Sequence, residues 1–203
     1  METKEVVSKI IARTGILSFG DYMLANGLHT QYYLNFSLLA NAPNHLKTLI
    51  KHMSRVIKEE GIMEDVTKLV GILNKGAIFV PLLSVEFKKP FGLFERYEND
   101  LVIGDLDIND KVLIVDDMIS TGRTIERVYR IITNIYKSKI SKVVVVVDRE
   151  EGGIRRLKKL GVSVYPIIRI TELVDILYDL GIIAEEEKDI VYSEVKERRR
   201  RRR

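Results

Sequence analysis

The chain has 203 residues, 46% hydrophobic and 31% charged, enough apolar content for one sizeable core. It holds no cysteine, which excludes a disulfide framework, a thiolate metal site and a cysteine nucleophile. The formal net charge is +4, but the six arginines at 198–203 exceed it; without them the balance is −2, so a nucleic-acid surface is not a property of the fold.

In chain order, residues 2–13 carry a helical stripe of Val6, Val7, Ile10 and Ile11. Residues 43–60, opened by Pro43 in a first-turn position, repeat it through Leu46, Leu49, Ile50, Met53, Val56 and Ile57. KLVGIL (68–73) reads as a buried strand and 77–87 as a short apolar helix. FGLFER (91–96) and KVLIVDD (111–117) read as further strands. A helix over about 122–137 is expected to turn Ile125, Val128, Ile131, Ile132 and Ile135 to a sheet, followed by the strand KVVVVVD (142–148). EEGGIRRLKKLG then gives a short helix, VSVYPIIRI a strand, and TELVDILYDLG a helix ending at Gly181.

Strands that are Val/Ile-rich throughout are buried on both faces, which predicts an α/β fold with a mainly parallel sheet flanked by helices. One domain is expected over 1–185, then a polar, Arg-rich tail over 186–203 in which KDIVYSEVKE continues a final polar helix. The arginines read as a disordered solubilising end or, alternatively, as an attachment to polyanions. No apolar run approaches a membrane span, and the start METKEVVSKI is too charged for a signal peptide, so a cytoplasmic protein with no membrane contact is expected.

The informative stretch is KVLIVDDMISTGRTI (111–125), where a buried strand ends on Asp116 and Asp117 and runs into a loop of hydroxyls and one glycine. In such sheets ligands bind beyond the carboxyl ends of the strands. A strand, a short loop and a helix N-terminus gather backbone N–H groups from 120–124. Together with the hydroxyls of Ser120, Thr121 and Thr124 they favour a phosphate, and Gly122 permits close approach. Donors beside two carboxylates suit a sugar phosphate, the carboxylates taking vicinal hydroxyls. The alternative is that Ser and Thr merely cap the helix while the Asp pair is solvated. The spacing G-x-x-x-x-G at 71–76 is followed by Ala77-Ile78, not by the Lys-Ser/Thr of a nucleotide P-loop. His29, His45 and His52 lack metal-ligand spacing, and the tyrosines do not interleave with a basic stripe.

VLIVDDMISTGRT resembles the phosphoribosyl-diphosphate (PRPP) signature of type I phosphoribosyltransferases. TGILSFGDYMLANGLHTQYYLNFSLL (14–39) and VDREEGG (147–153) are similar to segments of orotate phosphoribosyltransferases. The resemblance runs from about residue 12 to 181. It implies a PRPP-dependent transferase with a small hood formed mainly by 1–40, a homodimer, Mg2+ brought by the substrate rather than held directly by the protein, and a role in pyrimidine synthesis. It assigns Asp116 and Asp117 to the ribose hydroxyls, and Met118, Ile119, Ser120, Thr121, Gly122, Arg123 and Thr124 to the 5-phosphate. Asn74, Lys75, Gly76 and Arg96 go to the pyrophosphate, Lys75 as the charged contact counted with the catalytic groups, and Tyr33 and Arg149 to the base.

Orotate enzymes carry a Lys/Arg-rich catalytic loop with a histidine. The matching stretch here, FERYENDLVIGDLDIND (94–110), has no lysine or histidine, and Arg96 is its only basic residue against Glu95, Glu98, Asp100, Asp105, Asp107 and Asp110. Ala25 stands where the family has a base-proximal lysine, and Gly27-Leu28 where it has Gly-Arg. An acidic loop is expected to repel pyrophosphate. Two function classes follow: transfer of phosphoribosyl to orotate or another base, or a non-catalytic relative that binds PRPP or a nucleotide as sensor, regulator or partner subunit.

Overall fold

Valine and isoleucine runs without a polar face need cover on both sides. The computed structural model, which describes residues 2–23, 27, 29–73, 76–95 and 101–200, supplies it. The chain opens with α1 (Thr3–Arg13) and an antiparallel ribbon of β1 (Leu17–Met23) and β2 (His29–Leu34). A 3-10 turn, Phe36–Asn41, leads into α2 (Pro43–Glu59). Then come β3 (Lys68–Ile72), a 3-10 turn at Gly76–Ile78, α3 (Val80–Phe87), β4 (Phe91–Glu95) and β5 (Leu101–Ile103). The rest is β6 (Lys111–Ile119), α4 (Arg123–Asn134), β7 (Lys139–Asp148), α5 (Gly153–Lys158), β8 (Ser163–Arg169), α6 (Ile170–Asp179) and α7 (Glu185–Arg200).

Six strands form one sheet in the order β5-β4-β3-β6-β7-β8, parallel throughout except for β5, which runs antiparallel to β4. Side chains alternate across a strand, and β6 shows the consequence. Leu113 and Val115 enter the larger core with α1, α2, α3, α6 and α7, while Val112 and Ile114 enter the second core with α4 and α5. The valines of β7 divide in the same way, Val144 and Val146 to one side, Val143 and Val145 to the other. Each such side chain stabilises the fold by roughly 1.5–3 kcal/mol, and the adjacent strands β6 and β7 carry the most of them. That rigid pair is what the site is built on.

The structure departs from the sequence expectations at four places. The apolar helix expected from 77 begins as the Gly76–Ile78 turn, and α3 starts only at Val80, where Pro81 suits a first turn. Helix α4 ends at Asn134, so Ile135 lies beyond its last turn and is 67% exposed instead of facing the sheet; Ile131 is only partly buried. Strands β1, β2 and β5 were not legible, because the ribbon pairs a strand broken by an irregularity between Phe19 and Tyr22, and β5 has three residues. At the C-terminus the expected final helix is present, but it is not solvated on all sides. Over Glu185–Arg200 it is a helix that packs on α6 and β2, with Val191 and Val195 buried in the larger core. Among the described residues no helix is long and apolar enough to cross a membrane.

If α7 belongs to the domain, Val191→Ala removes two fully buried methyl groups. It should lower stability by about 1–2 kcal/mol, read as a lower urea midpoint with an unchanged slope. An unaltered midpoint would mean that α7 stands apart from the core.

Candidate functional site

Strand β6 lies between β3 and β7, and its carboxyl end carries Asp116 and Asp117, both largely buried at 8% and 5% exposure. Their burial is made tolerable by the chain itself. Asp116 Oδ1 accepts the Asp117 N–H at 2.9 Å, and Asp117 Oδ1 accepts the Met118 N–H at 2.9 Å. The turn after β3 seats directly on this pair: a Cβ on Gly76 would stand 2.3 Å from Asp116 Oδ1 and 2.8 Å from its Cα. Only glycine fits there.

Beyond Ile119 the chain forms a cradle of about 190 Å³, lined by 116–125 and closed by the start of α4. Gly122 sits at φ 74, the left-handed region that other residues adopt at a cost, and begins the helix as its N-cap. The cradle is held from behind by α5. The Gly153 N–H donates to Ser120 O at 2.9 Å, and Arg156 Nε donates to Thr121 O at 2.9 Å. With both carbonyls drawn toward α5, the trans geometry of the peptides turns the Thr121 and Gly122 N–H groups the opposite way, to the cradle side. Those N–H groups, the hydroxyls of Ser120, Thr121 and Thr124, and the positive end of α4 are donors of the kind that favours an anion.

Three residues that support this loop were not singled out from the sequence: Gly153, Arg156 and Glu126. Arg156 Nη1 donates to Glu126 Oε2 at 2.8 Å, and hydrogen bonds from Arg130 and Arg156 hold the Glu126 carboxyl below its ordinary pKa. Close packing of the two backbones explains the glycines. A Cβ on Gly153 would lie 2.5 Å from Ile119 Cγ1 and 2.6 Å from Ser120 O, and one on Gly122 would lie 3.0 Å from Gly153 Cα. The paired glycine in EEGG was the available signal.

The turn after β7 stands beside the cradle, since the Arg149 N–H donates to Ile119 O at 2.9 Å. Arg149 itself is buried, its guanidinium 4.9 Å over the ring of Tyr32, with Nε donating to Tyr32 Oη at 3.3 Å. Burial works against its charge, but Tyr32 and Glu151 outweigh that and raise its pKa. Tyr33, the next residue along β2, is half-buried and stacks with Tyr22 at 5.4 Å between centroids. Neighbours on a strand face opposite ways, so the structure brings Arg149 to Tyr32 and not to Tyr33. Asn74, Lys75 and Arg96 lie outside the described residues, as do Ala25 and Leu28; Gly76, the remaining residue assigned to pyrophosphate, is the one seated on Asp116.

The acidic stretch 94–110 needs a correction. Because β5 runs back along β4, residues 104–110 return to the amino end of the sheet, away from the cradle. There Asp110 pairs with Lys68 at 3.0 Å and accepts from Thr67 at 2.7 Å, and the backbone carbonyls of Asp105 and Asp107 bind Lys68 and Ser138. Asp105, Asp107 and Asp110 therefore tie a loop to the strand starts, at the end of the sheet away from the cradle. The absence of lysine and histidine from the stretch stands.

Residues 38–172 match the family described as phosphoribosyl transferase domain. The chain is similar to orotate phosphoribosyltransferase of Pyrococcus abyssi, 29% identical over 175 residues, covering 84% of this chain and 94% of that protein. It is similar to the Methanocaldococcus jannaschii protein of the same name, 29% identical, covering 85% of this chain and 98% of that one. Among solved structures, Leishmania donovani UMP synthase superposes with a TM-score of 0.83 at 20% identity, covering 95% of this chain, which spans only 42% of that one. Orotate phosphoribosyltransferase from Aeropyrum pernix gives 0.76 at 21% identity, covering 88% and 99%. At these identities the structures speak for the fold.

Two outcomes are expected here. Gly153→Ala should push the cradle out of shape and weaken ribose 5-phosphate binding about tenfold or more, the worth of one charge-assisted hydrogen bond; unchanged calorimetric affinity would show that α5 does not support the loop. Burial raises the pKa of Asp148, with the Glu150 charge adding to it. The folded state then holds this proton more tightly than the unfolded chain, so stability is lost as pH rises through the folded pKa. Asp148→Asn, which keeps the acceptor for the Glu150 N–H, should be more stable than the parent at pH 7, and the gain should vanish as pH falls below the ordinary carboxylate range. A urea midpoint at pH 7 equal to or below that of the parent would contradict this.

Proposed function

The chain belongs to the phosphoribosyl transferase domain family, and from that premise we propose that it transfers the phosphoribosyl group of PRPP to orotate, giving orotidine 5-monophosphate and pyrophosphate. The observation that carries this reading is the cradle at 116–125, with phosphate donors and two buried carboxylates on one strand end. The 5-phosphate takes the N–H and hydroxyl groups of 120–124, with Met118, Ile119 and Arg123 completing that stretch. The ribose hydroxyls donate to Asp116 and Asp117.

Displacement at the ribose C1 places positive charge on the sugar and negative charge on leaving pyrophosphate. Fixed carboxylates beside the ribose favour the first, and they need no reorganisation as the charge develops. A Mg2+ brought by the substrate would be held by PRPP's own oxygens, with Asp116 and Asp117 as the nearest carboxylates of the cradle. Bound there, Mg2+ neutralises charge on the leaving group. Asn74, Lys75, Gly76 and Arg96 are proposed for the pyrophosphate, Tyr33 and Arg149 for the base. A homodimer and a cytoplasmic setting complete the proposal, on the strength of the family.

One observation favours a second reading. With no lysine or histidine in 94–110, a protein that binds PRPP or a nucleotide without turnover is the alternative. The assay that separates them is pyrophosphate release at saturating PRPP, Mg2+ and orotate. Orotate-dependent release is expected, falling on the order of 100-fold in a folded Asp116→Asn, Asp117→Asn variant. PRPP binding without release would leave the binding protein as the account. No binding at all would remove both readings.

A further inference from the structure

Arg149 is the centre of a buried charge cluster assembled from three parts of the chain. Glu151 Oε1 accepts from Arg198 Nη1 at 2.7 Å, and the same oxygen lies 3.2 Å from Arg149 Nη2 but outside hydrogen-bond geometry. Arg198 Nη2 donates to Glu194 Oε2 at 2.7 Å. Glu194 in turn accepts from Thr30 Oγ1 at 2.8 Å and from the Gln31 N–H at 2.5 Å. Two side chains one turn apart on α7 thus join the ribbon strand β2 to the turn after β7.

Two guanidiniums pair with one carboxylate oxygen here, and only Arg198 makes a hydrogen bond to it. Arg149 Nη2 is left out of water and without a hydrogen-bond partner among the described residues. A donor in that condition is costly, and an acceptor oxygen from a ligand relieves it. Were Arg198 absent, the Arg149–Glu151 ion pair would close into a charge-assisted hydrogen bond, and any ligand oxygen would have to displace a carboxylate. We infer that Arg198 is a positioning residue for base recognition: by engaging Glu151 it keeps Arg149 available to a carbonyl or carboxylate oxygen of the base. The inference rests on the proposed transfer to a pyrimidine base. Nothing in the sequence motif points to it, since Arg198 stands at the head of the arginine run.

Orotidine 5-monophosphate and ribose 5-phosphate share the sugar phosphate, so the ratio of their affinities reads the base alone. Calorimetry on the parent, Arg198→Ala and Arg198→Lys gives that ratio. The parent should prefer the nucleotide. Arg198→Ala should cut the preference about tenfold or more with ribose 5-phosphate affinity unchanged, because Arg198 touches no residue of the cradle. Arg198→Lys, still able to donate to Glu151, should restore most of it. A preference that survives in Arg198→Ala, or a loss shared equally by both ligands, overturns the role of Arg198 and leaves the proposed activity standing. A parent without any preference overturns the pyrimidine reading and the positioning role with it. Should Arg198→Ala not fold, Glu151→Gln decides instead: removing the competing charge should keep or raise the preference, and its loss overturns the inference.

Discussion

Two adjacent carboxylates held out of water at the end of a central strand set the terms for everything around them. Asp116 and Asp117 each take a peptide N–H from the residue that follows, which fixes the backbone as it leaves β6. The turn after β3 then has to approach within side-chain-excluding distance, hence Gly76. On the far side the loop before α4 has to lean on α5, hence Gly122 against Gly153. None of these approaches would be stable on a mobile support. The valine-filled pairing of β6 with β7 provides a rigid one, and the same residues that make the core thereby set the position of the site to within ångströms.

The fold was legible because its strands are unambiguous: KVLIV and KVVVVV have no polar face, and only a sheet covered on both sides accommodates them. The cradle was legible for a related reason, since a buried strand that ends on two carboxylates and a hydroxyl-rich loop contradicts ordinary burial unless a ligand is involved. The ribbon escaped notice because its alternation is broken between Phe19 and Tyr22. Arg156 and Glu126 escaped notice because a residue that holds a loop from behind carries no motif; its role exists only once two distant helices are neighbours. That Arg149 meets Tyr32 and not Tyr33 is a matter of which face of a strand looks inward, and two adjacent tyrosines give no clue to that.

The stretch 94–110 shows how a sign count misleads when the path of the chain is unknown. Read as one loop it concentrates negative charge beside a leaving anion. Folded, it is divided by β5, and Asp105, Asp107 and Asp110, half of its acids, belong to the end of the sheet away from the cradle, where they secure Lys68 and the strand starts. The charge is structural there, within reach of a buried lysine.

The clasp between α7 and the ribbon also has a consequence in time. The hydrogen bond from Thr30 to Glu194 closes a span of 164 residues, and the Gln31 bond one of 163. The contacts that shape the cradle, by contrast, run only from Gly76 to Arg156. On a ribosome, where domains grow from the amino end, the lining of the cradle is complete before the α7 side of this clasp exists. A segment made early is among the last to be locked down.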